Sequence, residues 1–181
     1  MDDYWAVFDT IYLTDQSFGD SHRFPYVLHP NLEHIIFYTK TISWVSHKIL
    51  GKSFSLVYLM LLGDLAWFGS ILFIIYKFYS ALKPNLGWLG VILLLGFSMQ
   101  LHENFFWGMA STQNLTIILF SLLTFHFLIK NTPFYFLISL TFAQLSFFTS
   151  SPGLLVFAVG IIYLIIQRRF RRLAIWSLCF G

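Results

Sequence analysis

From residue 54 onward, apolar residues occur in long runs that are separated by short polar connections. Runs of about 20 apolar residues match the roughly 30 Å hydrocarbon thickness of a bilayer, because each helical residue rises about 1.5 Å. The pattern predicts five complete transmembrane helices and the start of a sixth. The predicted bounds are 54–79, 84–101, 112–130, 134–149, 153–167 and, for the partial helix, 173–181. The predicted fold is an all-α integral membrane protein with a helical bundle over 54–181.

Residues 1–53 are polar and aromatic, and they contain no apolar run long enough to cross a bilayer. Between 32 and 50, apolar residues recur at helical spacing, and most polar residues lie off that stripe. The apolar stripe consists of Ile35, Ile36, Ile42, Val45 and Ile49. This spacing predicts an amphipathic helix over 32–50 that lies in the membrane surface. A helix packed on a globular domain of its own would show the same pattern.

The composition supports the membrane class. Hydrophobic residues make up 57% of the chain and charged residues 10%, whereas a soluble domain carries about 25% charged residues. The mean hydropathy is +0.73. The single cysteine, Cys179, excludes an internal disulfide and a cysteine pair for a metal. Nucleic-acid binding has no support, because the basic residues are scattered or lie beside the apolar runs.

Basic residues indicate the orientation of the predicted bundle. Alternate connections collect Lys77, Lys83, Lys130, Arg168, Arg169, Arg171 and Arg172. The positive-inside rule places this face in the cytoplasm, so 1–53 becomes a non-cytoplasmic loop region and 100–108 lies on the same outer face. We expect a multi-pass membrane protein. The polar start and the short last run indicate part of a larger polytopic protein.

Residues 100–108 are unusual, because they gather polar side chains between two long apolar runs. Gln100, His102, Glu103 and Asn104 lie there. A charged residue costs roughly 2.5–3.5 kcal/mol at the bilayer centre on insertion scales and much less at the surface. Six of the eight acidic residues lie in 1–53. The predicted topology therefore brings the carboxylates of two distant segments to one membrane face, where an enzyme site could reach a lipid-linked substrate.

Three passages carry a resemblance to a known family. They are Asp2-Asp3-Tyr4-Trp5, then His29-Pro30-Asn31-Leu32-Glu33-His34, and finally Gln100-Leu101-His102-Glu103-Asn104-Phe105-Phe106-Trp107-Gly108. Together they resemble the acidic and polar outer-loop motifs of GT-C type membrane glycosyltransferases, in particular a bacterial family that uses polyprenyl-phosphate-linked sugars. The resemblance implies transfer of a sugar from such a donor to an acceptor at the non-cytoplasmic face.

The resemblance also implies roles for residues. Asp3 or Asp2 would be the general base for the acceptor hydroxyl. Glu103, with His102, Glu33 or His34, could hold a Mg²⁺ or Mn²⁺ ion, since carboxylates suit such cations. The leaving phosphate could instead meet Lys40, Lys48 or Arg23. The expected substrate-binding residues are Glu33, His34, Lys40, Gln100, Asn104 and Trp107.

Other interpretations stay open at this stage. Trp107 and its aromatic neighbours Phe105 and Phe106 fit an interfacial aromatic belt. Asp64, inside the first predicted span, fits a hydrogen bond to a neighbouring helix, although an ionisable residue there can also be functional. A transporter or flippase component, a non-catalytic membrane subunit and a truncated remnant are alternative functions. The oligomeric state is not determined by the sequence.

Overall fold

The computed structural model describes residues 2–19, 37–82, 86–97, 102–130 and 132–179, and every regular element in them is helical. The helices are α1 Asp2–Gly19, α2 Phe37–Leu50, α3 Leu56–Leu82, α4 Leu86–Gly96, α5 His102–Phe106, α6 Gly108–Ala110, α7 Thr116–Ile129, α8 Pro133–Thr149, α9 Leu154–Ile166 and α10 Phe170–Leu178. A π-helical turn, Ser111–Leu115, joins α6 to α7 without a break. The predicted all-α class is confirmed.

The first helix, α1, lies in a region for which the sequence predicted only a loop. Its buried side chains are Val7, Thr10, Ile11 and Thr14, which recur at the helical spacing i, i+3, i+4 and i+7. Half of this stripe is threonine, so a count of apolar residues does not detect it. The polar N-terminal region therefore begins with an 18-residue helix.

The second helix, α2, falls inside the predicted 32–50 segment, but its buried face differs from the predicted one. Its buried side chains are Thr39, Lys40 and Ser43. Ile49, from the predicted apolar stripe, is 77% exposed. The polar side of this helix is thus buried, and an apolar side chain points outward. Helix α2 contacts α1 and α8. The part of the prediction over 32–36 lies outside the described residues.

Helix α3 and the continuous helix α6–α7 run parallel to each other. Near their starts, Thr112 Oγ1 donates a hydrogen bond to Leu59 O over 3.0 Å. Towards their ends, the rings of Phe73 and His126 lie 5.3 Å apart. Helix α8 then returns antiparallel to α7, where Ser139 Oγ donates to Thr124 O over 2.9 Å.

The bundle therefore has two distinct ends. At the polar end, α3 and α6 begin, α1 and α2 pack, and Gln113 Nε2 donates to Ser150 Oγ over 3.2 Å. At the basic end, α7 terminates beside the turn between α9 and α10, where Arg169 Nη1 donates a hydrogen bond to Leu128 O over 3.5 Å. Phe73 of α3 lies beside His126 of α7 towards the same end. The predicted separation of basic connections from the N-terminal region is thus observed in these described elements.

Two described helices are long and apolar enough to cross a membrane by length and composition, Leu56–Ser80 and Gly108–Ile129. Three other apolar helices, Gly87–Gly96, Pro133–Thr149 and Ser151–Ile166, are shorter. The prediction of five complete spans is therefore not supported by helix length. The clearest difference is the second predicted span, 84–101, which is helical only over Leu86–Gly96 in the described residues.

Helix α4 ends early because its last turn is fixed against the middle of α3. Trp67 Nε1 donates a hydrogen bond to Gly96 O over 2.9 Å. A Cβ atom at Gly96 would come within 2.7 Å of Ile71 Cδ1. Phe97 then leaves the helix in a turn. The close approach therefore places the end of α4 beside the middle of α3.

The described residues do not show the burial pattern of a soluble protein, in which apolar side chains are buried and polar ones are exposed. The buried side chains include as many polar residues as apolar ones, and the polar ones other than Lys40 are all serine or threonine. Large apolar side chains such as Leu94 (76%) and Leu178 (80%) are exposed. The principal apolar core, formed by α7 to α10, centres on Phe157 and Trp176.

The tight turn predicted between the fourth and fifth transmembrane helices, which correspond to α8 and α9, is confirmed. Ser151–Gly153 form one 3-10 turn, and Gly153 N donates to Ser150 O over 2.8 Å. The last helix, α10, begins at Phe170 rather than at the predicted residue 173. It folds back along α9, since the fully buried Trp176 donates its Nε1 hydrogen bond to Phe157 O over 3.1 Å.

Candidate functional site

The predicted site residues fall into three groups in the structure. Glu33, His34 and Gln100 lie outside the described residues. Asp2 and Asp3 begin α1, and His102 and Glu103 begin α5; their backbone positions are described and their side chains are not. The side chains of Lys40, Asn104 and Trp107 are fully described. Among the described side chains, no group of three or more metal-ligating residues is close enough to hold an ion.

The N-terminal helix and the segment after the 100–108 motif are direct neighbours. Val7 and Ile11 of α1 form one buried cluster with Leu59 of α3. Met109 of α6 and Ile42 of α2 pack against that cluster. The helix that begins with Asp2 and Asp3 therefore contacts the short helix that directly follows Trp107.

Helix α5, which carries His102 and Glu103, packs beside the first turns of α3 and beside the π-helical turn. Gly108 marks the closest approach, because a Cβ atom there would lie 3.0 Å from Leu56 O. Glycine permits this approach since it has no side chain to displace the α3 backbone. Residues 105–108 thus lie beside the first half of α3.

Asparagine and glutamine side chains cross-link this end of the bundle. Asn114 Nδ2 donates a hydrogen bond of 2.8 Å to Asn104 Oδ1, across the turn between α5 and the π-helical segment. The neighbouring Gln113 bonds Ser150, which precedes the turn before α9. Asn104 is therefore held by a partner, with its amide nitrogen directed away from that bond.

Lys40 is the predicted phosphate-binding residue that the structure describes best. Only 2% of it is exposed, and burial lowers the pKa of its ammonium group. The neighbouring aromatic rings fix α2 on the bundle, since Phe37 lies 5.5 Å from Phe148 and Tyr38 lies 5.3 Å from Phe120. The ammonium group of Lys40 is thus removed from water, which disfavours its charged form.

Tyr38 adds a second titratable group on the same helix. Burial raises the pKa of its phenol, and a hydrogen bond with Thr116 offsets part of that rise. The phenol therefore stays neutral and acts as a hydrogen-bonding group. On the outer part of α2, Lys48 instead forms an ion pair with Asp15 over 3.0 Å, so it serves to attach α1.

Trp107 and Phe106 are 51% and 70% exposed, respectively. Trp107 has extended backbone dihedral angles and separates α5 from α6. The exposure of these rings at one end of the bundle agrees with an interfacial aromatic belt. It leaves them accessible to a lipid or a lipid-linked molecule.

A cavity of about 430 Å³ opens between α3 and the motif. Its walls are mostly aromatic, including Trp67, Phe97, Phe105 and Phe106, and Asp64 is the one charged residue among the described residues that line it. Ser111 Oγ lies 3.1 Å from Asp64 Oδ1 and 3.0 Å from Met60 O, and it can donate to either. The predicted hydrogen bond from Asp64 to a neighbouring helix is confirmed.

Sequence reasoning did not identify several polar groups of this region. Gln113 and Asn114 begin the predicted span 112–130 and Ser111 directly precedes it, so the sequence pattern assigns none of them to the site. The polar run Ser111-Thr112-Gln113-Asn114 at the start of an apolar segment is the signal that could have drawn attention to these residues. The π-helical turn that contains them is of a kind found frequently at functional sites. Their partners on α3, α5 and the 150–153 turn are distant in sequence.

Comparison of the chain with protein-family models, with curated proteins and with solved structures finds no match in any of the three.

Proposed function

We propose that this chain is an integral membrane protein whose helices cross the bilayer with the polar end and the basic end at opposite faces. The burial pattern supports this most directly. Leucine, isoleucine and phenylalanine side chains are exposed on α3, α4, α8 and α9, while serine and threonine fill the helix contacts. Lipid is as apolar as leucine, so membrane helices associate through small and hydroxyl-bearing residues rather than through apolar burial.

The shorter helices fit the same arrangement with some adjustment of the bilayer. Helix α8 has 17 residues, which correspond to about 26 Å of rise. A bilayer thins locally around a short apolar helix at a cost of fractions of a kcal/mol per Å. The proposed topology therefore keeps α8 and α9 as crossing helices, with the basic end in the cytoplasm according to the positive-inside rule.

We further propose that the polar end transfers a sugar from a polyprenyl-phosphate donor to an acceptor, as the GT-C resemblance implies. The contact between α1 and α6 carries this proposal, because it joins the helix that starts with Asp2 and Asp3 to the motif that contains Glu103. Asp3 or Asp2 would deprotonate the acceptor hydroxyl. Lys40 would face the donor phosphate, and Glu103 with His102 would hold a divalent cation if one is used.

One observation favours a second candidate, a transporter or flippase component. Asp64 lies on α3 eight residues after Leu56, which is about 12 Å along the helix, and it lines the 430 Å³ cavity. Ionisable residues inside membrane helices often mark the path of an ion or substrate. The two functions differ in which acid they require: Glu103 for transfer and Asp64 for transport.

The test uses membranes that contain the protein at its natural full length. Polyprenyl-phosphate mannose and polyprenyl-phosphate glucose are supplied, and released polyprenyl phosphate is measured, since any acceptor yields this product. We expect Glu103→Gln and Asp3→Asn each to lower the release about 100-fold or more. Asp9→Asn is the matched control, because Asp9 is an exposed acid on the same helix as Asp3.

If Glu103→Gln and Asp3→Asn both release polyprenyl phosphate as fast as the unaltered chain, the assignment of catalysis to the polar end is wrong. Loss of function in Asp64→Asn alone, with uptake or flipping of the lipid-linked sugar as the readout, would support the transporter interpretation instead.

A further inference from the structure

A second cavity, of about 410 Å³, lies at the opposite end of the bundle from the proposed transfer site. It opens between the parallel helices α3 and α7. Its polar lining residues are Lys77, His126 and Lys130, and its apolar walls include Phe73, Leu122 and Phe125. The functional proposal above uses none of these groups.

The cavity collects cationic groups without a described acid to neutralise them. Neither Lys77 nor Lys130 forms an ion pair within the described part of the chain. Aromatic rings position both lysines instead: the Lys77 ammonium lies 5.8 Å from the Phe73 ring centre, and the Lys130 ammonium lies 4.4 Å from that of Tyr135. Such cation–π contacts orient an ammonium group but leave its positive charge in place.

His126 is the third polar residue of the cavity lining. Its ring is 5.3 Å from that of Phe73 and 5.1 Å from that of Phe127, in edge-on contacts. Both ammonium groups are close enough to interact electrostatically with this ring. Three nitrogen donors that face one cavity, with like charges on two of them, form a site that an anion would stabilise.

The depth of the lysines matches a membrane surface. Lys77 lies 21 residues after Leu56 on α3, which is about 32 Å along the helix axis and close to the thickness of the hydrocarbon core. Lys130 directly follows the continuous helix α6–α7, and this helix starts beside Leu56. If the polar end lies at one membrane surface, both lysines reach the headgroup level of the other. The apolar walls then face the acyl chains.

We propose that this cavity binds an anionic glycerophospholipid. The phosphate lies between the Lys77 and Lys130 ammonium groups with a hydrogen bond from His126, and one acyl chain lies along Phe73, Leu122 and Phe125. The phosphate charge complements the two lysines, and the apolar walls distinguish a lipid from a free phosphate ion. This inference rests on the proposed membrane placement, but it is independent of sugar transfer.

The experiment measures lipid binding by native mass spectrometry of the full chain released from detergent micelles. Phosphatidylglycerol and phosphatidylcholine are titrated separately, and inorganic phosphate is titrated as a third probe. We expect tighter binding of phosphatidylglycerol than of phosphatidylcholine. Lys77→Gln and Lys130→Gln should each weaken phosphatidylglycerol binding about fivefold, and the double variant about 25-fold, because each basic residue near an anionic lipid contributes about that factor.

Lys52→Gln is the matched control, since Lys52 is an exposed lysine at the polar end, and it should leave binding unchanged. Lys77→Arg should retain most of the preference, because it keeps the charge. Equal binding of the two lipids by the unaltered chain would overturn the proposal. An equal loss in Lys52→Gln would do the same, as would displacement of the lipid by millimolar inorganic phosphate, which would indicate a site for free anions. All of these readouts remain valid if the transferase assay fails.

Discussion

Gly63 of α3 lies directly against Ser111 of the π-helical turn, so closely that a Cβ atom at position 63 would overlap both the hydroxyl and the carbonyl group of Ser111. This contact lets the Ser111 hydroxyl reach Met60 O and Asp64 Oδ1 in the adjacent helix. Small residues commonly allow such close backbone approach between membrane helices. The pair therefore sets the spacing between the two longest apolar helices.

The first prediction concerns Gly63→Ala. The added methyl group meets backbone atoms, which cannot move without separating the helices, so we expect a loss of about 1–3 kcal/mol from overpacking. Thermal unfolding in detergent, followed by near-UV circular dichroism, measures the effect. Gly90→Ala is the control, because nothing lies within 4 Å of a Cβ atom at that helical glycine. The control should be neutral or slightly stabilising, and equal behaviour of the two variants would contradict the packing argument.

The second prediction concerns the hydroxyl of Ser111. Ser111→Ala removes the bond between helices and leaves Asp64 Oδ1 without this donor, so we expect a loss of about 1–3 kcal/mol. Ser121→Ala provides the comparison, since the described partner of the Ser121 hydroxyl is Ile117 O of its own helix. We expect at most a few tenths of a kcal/mol there. Unfolding midpoints of the two variants in the same detergent measure the difference, and a larger loss in Ser121→Ala would refute it.

The third prediction concerns Asp15, which attaches α1 to α2. Burial alone would raise the pKa of its carboxyl group, but hydrogen bonds from Trp44 and Lys48 and the charge of Lys48 outweigh this and lower it. The Trp44 bond, Nε1 to Oδ1, is 2.6 Å long. Asp15→Asn should lower the free energy of unfolding at pH 7 by about 1 kcal/mol. Most of this loss comes from the hydrogen bonds, because solvent screening weakens the exposed ion pair.

The pH dependence has a defined sign for Asp15. A lowered folded-state pKa contributes stability above the unfolded value, near 4, and that stability disappears as the pH falls through the lowered pKa. The unaltered chain should therefore lose part of its α1–α2 attachment on acidification, as seen by hydrogen exchange in α1. Asp15→Asn should not show this acid-dependent loss of protection in α1, whereas Asp9→Asn should still show it. An acid response of the same size in Asp15→Asn would exclude the assignment.

The fourth prediction depends on the proposed sugar transfer and concerns Lys40. Lys40→Met should raise KM for the polyprenyl-phosphate donor on the order of 30-fold, because a buried charge pair loses one partner. Since burial lowers the pKa of the Lys40 ammonium, donor affinity should decline on alkalinisation at a lower pH than an ordinary lysine would require. Steady-state kinetics across the alkaline range measures both effects. Lys52→Met is the control, because Lys52 is an exposed lysine at the same end of the bundle. If Lys40→Met has the same KM as Lys52→Met and the unaltered chain, Lys40 does not bind the donor.

Local sequence signals predicted the elements well where one physical property dominated. The apolar runs anticipated α3, α7, α8 and α9, because a continuous apolar segment with few charges has only a helix available in lipid. Pro133 at the first turn and Thr132 as its cap also fit the observed start of α8. In contrast, α1 was missed because threonines supply half of its buried stripe, and α4 proved shorter because Trp67 and Ile71 hold its last turn against α3.

The sequence by itself determined the helical class, the separation of basic and polar connections and the 151–153 turn, since each follows from residues that are adjacent in the chain. Only the tertiary structure decided that α3 and α6–α7 run in parallel at close range, that the polar side of α2 faces inward, and that Asp64 meets Ser111. The hydrogen bonds of Ser111 and Thr112 with α3 join residues 47 to 53 positions apart, and they depend on Gly63, which leaves room for the neighbouring backbone. Hydrophobic periodicity carries no information on such pairings, because it reports which side of a helix is apolar and not which helix lies against it.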